Sequence, residues 1–422
     1  MRILVVGNGA REDALSWKLA QSPSCEALFA APGNAGTASR ARNWEIAVTD
    51  GKAILERVLA EKIDLVVLGP ESAIAAGVGD RLRDAGVLVF GPNRSGGRLE
   101  SSKTFSKRFM QRHGVPTAQA AIVHSLQAAN AALDEWKGSG VVVKADGLAA
   151  GKGVVVCNRI DEARAVLADW YGKNKIPGGG SDVLLEERLE GREVSVFALA
   201  DGRAMVPLAA ACDYKRAGDG DTGPNTGGMG AYSPPQGFPD DLFDTVREKI
   251  LAPVLRGLLA ESETYIGVLY CGLMWTSDGP SVIEFNARFG DPETQVLMPR
   301  VRGDFAGLLK SCAEGAMDLS LASLSDQHCV GVVLATSDYP RTSTPLQGLN
   351  PDVALGEGVQ AFWGGSTLEH GTVRSSGGRV LTVSALGDDL VAARARAYDA
   401  VRALADRIGT KDLTYRTDIA KF

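Results

Sequence analysis

Short aliphatic runs, each closed by glycine or proline, alternate with longer amphipathic stretches at the start of the chain. Ile3–Val6, Ala27–Ala31, Leu65–Leu68 and Val87–Phe90 predict strands, and Arg11–Gln21 predicts a helix. Every one of these strands runs into a small-residue loop: Gly7-Asn8-Gly9-Ala10, Pro32-Gly33-Asn34-Ala35-Gly36, Gly69-Pro70-Glu71 and Gly91-Pro92-Asn93. Strands and helices in alternation predict a doubly wound parallel sheet, whose ligands gather at the carboxyl ends of its strands. A dinucleotide site is rejected, because Gly7-x-Gly9 is followed by Glu12 where the third glycine of that fingerprint would stand.

The texture then changes. Ser101–His113 reads as a helix stopped by Gly114, with Pro116 just beyond. Val141–Ala145 and Val154–Cys157 are β-branched runs on either side of a glycine-rich loop that carries Lys152, which predicts a hairpin. A helix over Asp161–Tyr171 and strands at Val183–Leu189, Val194–Ala200 and Met205–Ala209 follow. A long helix over Asp240–Glu261 and strands at Val268–Trp275 and Ser281–Asn286 complete an antiparallel-rich α+β unit. Beyond Asp326 a third unit has strands at Val330–Ala335 and Arg379–Ala385 and a helix over Asp389–Ile408. No tandem repeat or low-complexity tail is visible.

With 422 residues the chain has material for roughly two to four domains. Its net charge of -6 argues against nucleic acid as the main partner. Six scattered cysteines without a Cys-x-x-Cys pair fit reduced thiols, and four histidines show no metal-ligand spacing. With no signal peptide or membrane-length apolar run, a cytoplasmic protein is expected, with no membrane partner.

The chemistry is concentrated in three places. Period-2 alternation puts Glu284 and Asn286 on one face at a strand end, where a charged and a neutral oxygen donor suit Mg2+. Arg288 shares that face, and Asp291 lies just past it. Lys144 and Lys152 flank glycines that let backbone N–H groups close over phosphate oxygens, although the spacing is not that of a P-loop. Some way on, the strand end around Leu184–Leu189 is apolar enough to hold a purine by backbone hydrogen bonds, with Glu193 at a distance suited to ribose hydroxyls.

A glycine-lysine hairpin, an acidic strand and a terminal Glu-x-Asn together resemble the ATP-grasp superfamily. Within it the chain resembles the phosphoribosylamine-glycine ligase family over nearly its whole length. The resemblance is carried by Lys144-Ala-Asp-Gly-Leu-Ala-Ala-Gly-Lys-Gly153, Asp213-Tyr-Lys-Arg216, the run from Asp221 to Pro234, and Glu284-Phe-Asn-Ala-Arg-Phe-Gly-Asp-Pro-Glu-Thr-Gln295. It implies an N-terminal doubly wound parallel sheet over residues 1–102, an ATP-grasp fold over 103–326 with a lid subdomain at about 117–190, and a small C-terminal α+β domain over 327–422.

The resemblance also implies residue roles. Lys103, Lys144 and Lys152, with Gly151 and Gly153, would contact nucleotide phosphates; Glu186, Glu187 and Leu189 would frame the adenine and Glu193 the ribose. Glu284 and Asn286 would hold Mg2+ or Mn2+, with Gly272 standing where many relatives in the superfamily carry a further acidic ligand. Arg288 and Asp291, with Lys152, Asp213 and Lys215, would do the catalytic work on ATP and glycine. Gly7, Asn8, Gly9, Glu12, Glu71, Asp213, Asn225, Gly228, Gly230 and Arg288 would meet the substrates, glycine and 5-phosphoribosylamine. A monomer or weak homo-oligomer is expected.

Four places depart from the family's pattern. Asp13 stands for a histidine, Ala73-Ile74 for Pro-Leu, Tyr214 for a histidine, and Ser337-Asp338 for Gly-Gly. If Asp13 faced the phosphoribosyl site, its charge would repel a 5'-phosphate. Two alternatives therefore stay open at the level of sequence: a ligase of the same chemistry acting on a different amine, and a nucleotide-binding protein without ligase activity.

Overall fold

The computed structural model describes residues 1–138, 140–148, 153–173, 176–352, 355–405, 407–408, 410 and 412–422. Five parallel strands form the first unit: β1 (Arg2–Gly7), β2 (Ala27–Pro32), β3 (Arg42–Asn43), β4 (Leu65–Leu68) and β5 (Leu88–Phe90), in the order β3-β2-β1-β4-β5. Chain order reverses at β1, so the loop after Gly7 opens at the topological switch point, where such sheets bind ligands. Strands β1 and β4 are buried on both faces, as their unbroken aliphatic runs require.

A second, antiparallel sheet holds β6 (Ala120–Val123), β7 (Val141–Ala145), β8 (Val154–Cys157) and β9 (Val183–Glu187), in the order β6-β9-β7-β8. Strand β9 stops at Glu187, so Leu189 lies beyond the strand that the sequence predicts to include it. This sheet packs its own small core, including Val143, Leu167 and Trp170.

The rest of the chain is organised by one large sheet. It contains β10 (Arg192–Asp201), β11 (Met205–Asp213), β14 (Gly230–Ser233), β15 (Ile266–Thr276) and β16 (Gly279–Asn286). Between β11 and β14 lies a small hairpin of β12 (Arg216–Gly218) and β13 (Thr222–Asn225); a second hairpin joins β17 (Val301–Gly303) to β18 (Ala322–Leu324). The large sheet continues through β19 (His328–Thr336), β20 (Val359–Trp363) and β23 (Arg379–Gly387), with β21 (Ser366–Glu369) and β22 (Thr372–Ser375) forming a separate hairpin. Its order is β16-β15-β10-β11-β14-β19-β23-β20, and β24 (Leu413–Thr414) pairs with β19.

The strands of the C-terminal region continue the large sheet, because β14 bonds to β11 on one side and β19 on the other. One expectation is corrected here. The long helix expected over Asp240–Glu261 is interrupted: Leu242–Val246 and Ala252–Ala260 are α-helical, and Arg247–Leu251 between them is a π-turn. Pro253 accounts for this, since it has no N–H to donate and its ring would press on the carbonyl four residues back.

Side chains of the first unit and the large sheet share one core, in which Ile3, Val5 and Val67 meet Phe197, Tyr270 and Phe305. Among the described residues no helix is long and apolar enough to cross a membrane, and all six cysteines are unpaired.

Candidate active site

Strand β16 carries the centre of the site. Glu284 pairs in register with Gly272 and Asn286 with Tyr270, which puts both side chains on one face, as alternation predicts. A Cβ at Gly272 would lie 3.3 Å from Glu284 Cγ, so the position across the ladder is kept small by the carboxylate itself. The register slips between Gly272 and Leu273, bulging Ile283 out of the ladder. The Ile283 carbonyl accepts a 2.9 Å hydrogen bond from Lys144 Nζ.

Glu284 makes no hydrogen bond or ion pair with any described residue, yet it is surrounded by cations. Burial acts against its charge, but Lys215, Lys144, Lys103 and Arg288 hold its carboxyl below the usual range. An unshared carboxylate beside an amide oxygen is a donor set that a hard divalent cation accepts. Among the described residues no group of three or more His, Cys, Asp or Glu could hold a metal. Asn286 Oδ1 meanwhile accepts from Arg288 Nη2 at 3.1 Å.

Arg288 is the hub of a second cluster. Its Nη2 lies 2.9 Å from Glu100 Oε1 and its Nε 3.4 Å from Glu71 Oε2. Glu100 also accepts from the Ala287 N–H at 2.7 Å, which ties the β16 end to the segment before the helix Lys103–His113. Burial pushes the Glu100 carboxyl up, and Arg288 opposes this. Arg11 reaches the same loop, donating to the Phe289 carbonyl at 3.2 Å.

Lys103 opens its helix behind Ser102, whose hydroxyl accepts from the Phe105 N–H. Asp146, at the root of the glycine-rich loop, accepts from Thr104 N at 3.1 Å and from both Ser102 and Thr104 hydroxyls. Lys103 Nζ donates to the Gly147 carbonyl at 2.9 Å. The described root of the loop, Asp146 and Gly147, is thus docked on the helix that Lys103 opens. Gly151 and Lys152 lie outside the described residues; Gly153 accepts from Ala145 N–H at 2.8 Å and closes the β7–β8 turn.

The carboxylate of Glu186 is turned inward: the residue is 4% exposed, with Oε1 2.7 Å from Lys107 Nζ and Oε2 2.5 Å from Lys144 Nζ. Lys107 also donates to Thr117 Oγ1 at 2.6 Å and to the Ala118 carbonyl at 2.9 Å. Glu186 therefore anchors Lys144 from behind, while Glu187 is exposed and gives its N–H to Gln119 O. Glu12, expected to touch substrate, is 1% exposed and turned inward. Its Oε2 accepts from the Gly9 N–H at 2.6 Å and its Oε1 meets Arg11 Nε at 2.5 Å. A Cβ at Gly7, Gly9 or Gly69 would come within 2.3, 2.9 and 2.2 Å of Glu12 atoms, so those glycines make room for this carboxylate. Asn8 is exposed and Gly9 partly so, at the rim of the loop.

Asp213 and Lys215 flank the loop that follows β11. Lys215 Nζ lies 2.6 Å from Glu193 Oε2. Burial works to lower the Lys215 pKa, but Asp213, Glu193 and Glu284 together hold it well above its ordinary value. Burial raises the Asp213 carboxyl to about 7, against the pull of Lys215. Asn225 is exposed on β13, whereas Gly230 is buried in the sheet, where a Cβ would meet the Gly331 carbonyl at 2.7 Å. Gly230 is thus a position where packing leaves no room for a side chain.

The departures from the family pattern are absorbed by packing. Asp13 is fully buried, ion-paired with Arg40 and accepting from the Trp363 N–H at 2.8 Å. The expected repulsion of a phosphate is therefore not exerted from an open mouth. Tyr214 Oη accepts from Ala420 N at 2.9 Å, and Arg416 stacks 4.8 Å over its ring. Asp338 collects Thr336, Thr342 and Thr344 hydroxyls, which brace the turn that the missing Gly-Gly would have made.

A cavity of about 220 Å³ opens where the first unit meets residues of the third. Gly9, Asp291, Tyr339, Arg379 and the glycine pairs Gly364–Gly365 and Gly377–Gly378 line it. Sequence reasoning missed Arg379, Tyr339, Lys107 and Glu100; only the paired glycines beside Trp363 and before Arg379 signalled a close backbone approach.

Models of three phosphoribosylglycinamide synthetase domains match this chain in order: the N domain over residues 1–100, the ATP-grasp (A) domain over 101–294 and the C domain over 329–422. The chain belongs to the phosphoribosylglycinamide synthetase family. A phosphoribosylamine-glycine ligase of Neisseria meningitidis serogroup A is 43% identical over 422 residues, covering 100% of this chain and 99% of that protein. A phosphoribosylamine-glycine ligase of Escherichia coli K12 is 44% identical over 426 residues, 99% of this chain and 98% of that one. The crystal structure of a phosphoribosylamine-glycine ligase from Thermotoga maritima superposes with a TM-score of 0.85 at 31% identity, covering 99% and 100% of the two chains. Members of this synthetase family thus share the architecture from end to end.

Proposed function

We propose that this chain is an ATP-dependent ligase that joins glycine to 5-phosphoribosylamine, giving glycinamide ribonucleotide, ADP and phosphate. The chemistry is supported above all by Glu284, an unshared carboxylate in the field of Lys103, Lys144, Lys215 and Arg288. The acceptor is supported by the end-to-end likeness to curated relatives of that name.

In this reading a glycine carboxylate oxygen attacks the γ-phosphorus of ATP and ADP leaves, forming glycyl phosphate. The phosphoribosylamine nitrogen then attacks the acyl carbon, the amide bond forms, and phosphate departs. Such transfer depends on alignment and charge neutralisation more than on a covalent enzyme nucleophile. Lys103 and Lys144 meet the nucleotide phosphates, Arg288 and Lys215 the transferred phosphoryl oxygens, and Asp291 the ammonium of glycine. Glu193 takes the ribose hydroxyls, giving up Lys215 as it does so, and the backbone near Glu187 and Leu189 receives the adenine. Glu284 and Asn286 would hold Mg2+ or Mn2+, which when bound neutralises phosphate charge. The phosphoribosyl end of the acceptor enters the cavity beside Gly9, whose glycine-lined wall lets backbone approach an anion. Glycyl phosphate is prone to hydrolysis, so the loop rooted at Asp146 must close before it forms.

The departures that left another amine open in the sequence do not favour one in the structure, because Asp13 and Tyr214 are engaged inside the protein. The test is product mass. Purified protein with ATP, Mg2+, glycine and freshly made phosphoribosylamine should yield glycinamide ribonucleotide and one phosphate per turnover; phosphate release only with a different amine would replace this acceptor.

A further inference from the structure

Arg379 begins β23, in the region matched by the C domain, yet its guanidinium lies among loops of the ATP-grasp region. Nη1 donates to the carbonyls of Gly227 at 2.8 Å, Gly228 at 3.4 Å and Asp291 at 2.9 Å. Nη2 lies 3.3 Å from Asp291 Oδ2. One side chain therefore bonds both the backbone and the carboxylate of Asp291, and ties them to the Gly227–Gly228 turn.

The turn is held from its other side as well. The Gly227 N–H donates to Tyr339 Oη at 2.9 Å, so Tyr339 and Arg379 grip the N–H and C=O of the same glycine. A Cβ on Gly227 would be 3.0 Å from Arg379 Cζ, and one on Gly228 would be 2.4 Å from Pro292 Cδ. Gly228 also has φ +109, a conformation that disfavours any other residue. The close packing leaves these loops one arrangement with Arg379 in place.

Asp291 is what that arrangement orients. Its Oδ1 accepts from Gln295 Nε2 at 2.7 Å, leaving Oδ2 toward Arg379 and the cavity wall at Gly9. Burial acts to raise its carboxyl, but Arg379, then Arg11, Gln295 and Arg288, hold it below the usual range. These are the charged and hydrogen-bonding groups that bear on it from the neighbouring elements.

We propose that Arg379 is a positioning residue for the ligase reaction, fixing Asp291 and the Gly227–Gly228 turn so that glycine is held in line with the phosphate it attacks. This rests on the reading of Asp291 as the glycine ammonium site. The third region of the chain then does more than wall the acceptor cavity: it sets the geometry of the first half-reaction. A planar guanidinium is required, because three carbonyls and a carboxylate are reached from two nitrogens in fixed relation, which a lysine ammonium cannot reproduce.

The test uses the full-length Arg379→Ala, Arg379→Lys and Gly227→Ala variants beside the unaltered protein. Arg379→Ala should lose about 100-fold in kcat/KM for glycine, the scale of a small misplacement of reacting groups, with KM for ATP unchanged. Free guanidinium at millimolar concentration should restore part of that activity in Arg379→Ala and none in Gly227→Ala. Arg379→Lys should remain impaired, and the acid limb of its kcat/KM profile for glycine should move to higher pH. Equal losses toward ATP and glycine without guanidinium rescue would make Arg379 a stability residue and overturn the proposal, as would full activity in Arg379→Lys. If the unaltered protein released phosphate with a carboxylate other than glycine, the ligase reading would fail first; an active unaltered protein with an indifferent Arg379→Ala would sink the positioning role alone.

Discussion

Replacing Glu186 with glutamine should destabilise the protein and loosen ATP together, because its carboxylate is the common counter-charge of two buried lysines. Lys107 Nζ is 2.7 Å from one oxygen and Lys144 Nζ 2.5 Å from the other. Glutamine keeps one acceptor oxygen but turns an NH2 toward the second ammonium. One lysine is then left facing a donor in a site where Lys107 is 1% and Lys144 4% exposed. Stranding a buried charge costs about 3–5 kcal/mol. At about 2–4 °C per kcal/mol for a region of this size, the midpoint of thermal unfolding should fall by about 6–20 °C. Lys144 retains only the Ile283 carbonyl among its bonds, so ATP affinity should drop about tenfold. Circular dichroism melts and calorimetric titration with ATP measure both quantities. The combination Lys107→Met with Glu186→Leu should be less damaging than the two single changes added, since it removes charge and counter-charge together. A Glu186→Gln variant with an unchanged melt but weakened ATP binding would refute the anchoring role and return Glu186 to the adenine.

Glu284→Ala and Asn286→Ala should abolish turnover with little change in the melt, and calorimetric titration with Mg2+ and ADP should show weakened metal uptake; near-normal activity at ordinary Mg2+ would remove the metal assignment. Chelation of divalent ions should likewise stop phosphate release, reversibly on adding Mg2+. Glu193→Gln should raise KM for ATP while keeping kcat at saturation, because a ribose contact is felt alike in ground and transition states; a collapse of kcat alone would place Glu193 in the chemistry. Burial raises the Asp13 carboxyl from 3.8 to about 6, against the pull of Arg40. Its folded pKa exceeds its unfolded one, so stability from this group is present below about 4 and lost as pH rises through about 6, by about 3 kcal/mol. Denaturation curves should show that loss in the parent protein and not in Asp13→Asn, whereas Asp13→His should lower stability without improving KM for phosphoribosylamine, since a Cβ at Gly36 would already lie 1.9 Å from Asp13 Oδ2 and a larger side chain has no room.

Strand positions were readable wherever one residue type repeats: β1, β4 and β7 are aliphatic runs, and they lie where the pattern puts them. Glu284 and Asn286 were readable for the same reason, since a two-residue period fixes their common face regardless of what surrounds them. The surroundings of Glu12 and Glu186 were not readable, because part of each comes from elsewhere in the chain: Gly69 closes over Glu12 beside its own neighbour Arg11, and Glu186 is claimed by Lys107, which no local pattern links to it. Asp13, read as a departure near the phosphoribosyl site, is a buried link between the first unit and β20, made with Arg40 and the Trp363 backbone. Arg379 had only the glycine pair before it as a sign, and nothing in a strand-opening arginine says that three carbonyls will converge on it.

The large sheet also limits how this enzyme can be cut or rearranged. Strand β14 is held on one side by β11 and on the other by β19, so ending the chain ahead of His328 would strip a partner from Gly230–Ser233. Those residues would become an open, apolar sheet edge, a template for pairing with other molecules. A fragment lacking the region matched by the C domain should therefore aggregate before it shows any partial activity. Insertion of a reporter or a fusion partner belongs instead in the exposed turn around Asp219–Gly220 only if its bonds to Thr417 and Asp418 can be spared. The four-stranded sheet β6-β9-β7-β8 shares no ladder with the large sheet and is tied to β16 by the Thr117–Val282 bridge and the Lys144 bond to the Ile283 carbonyl.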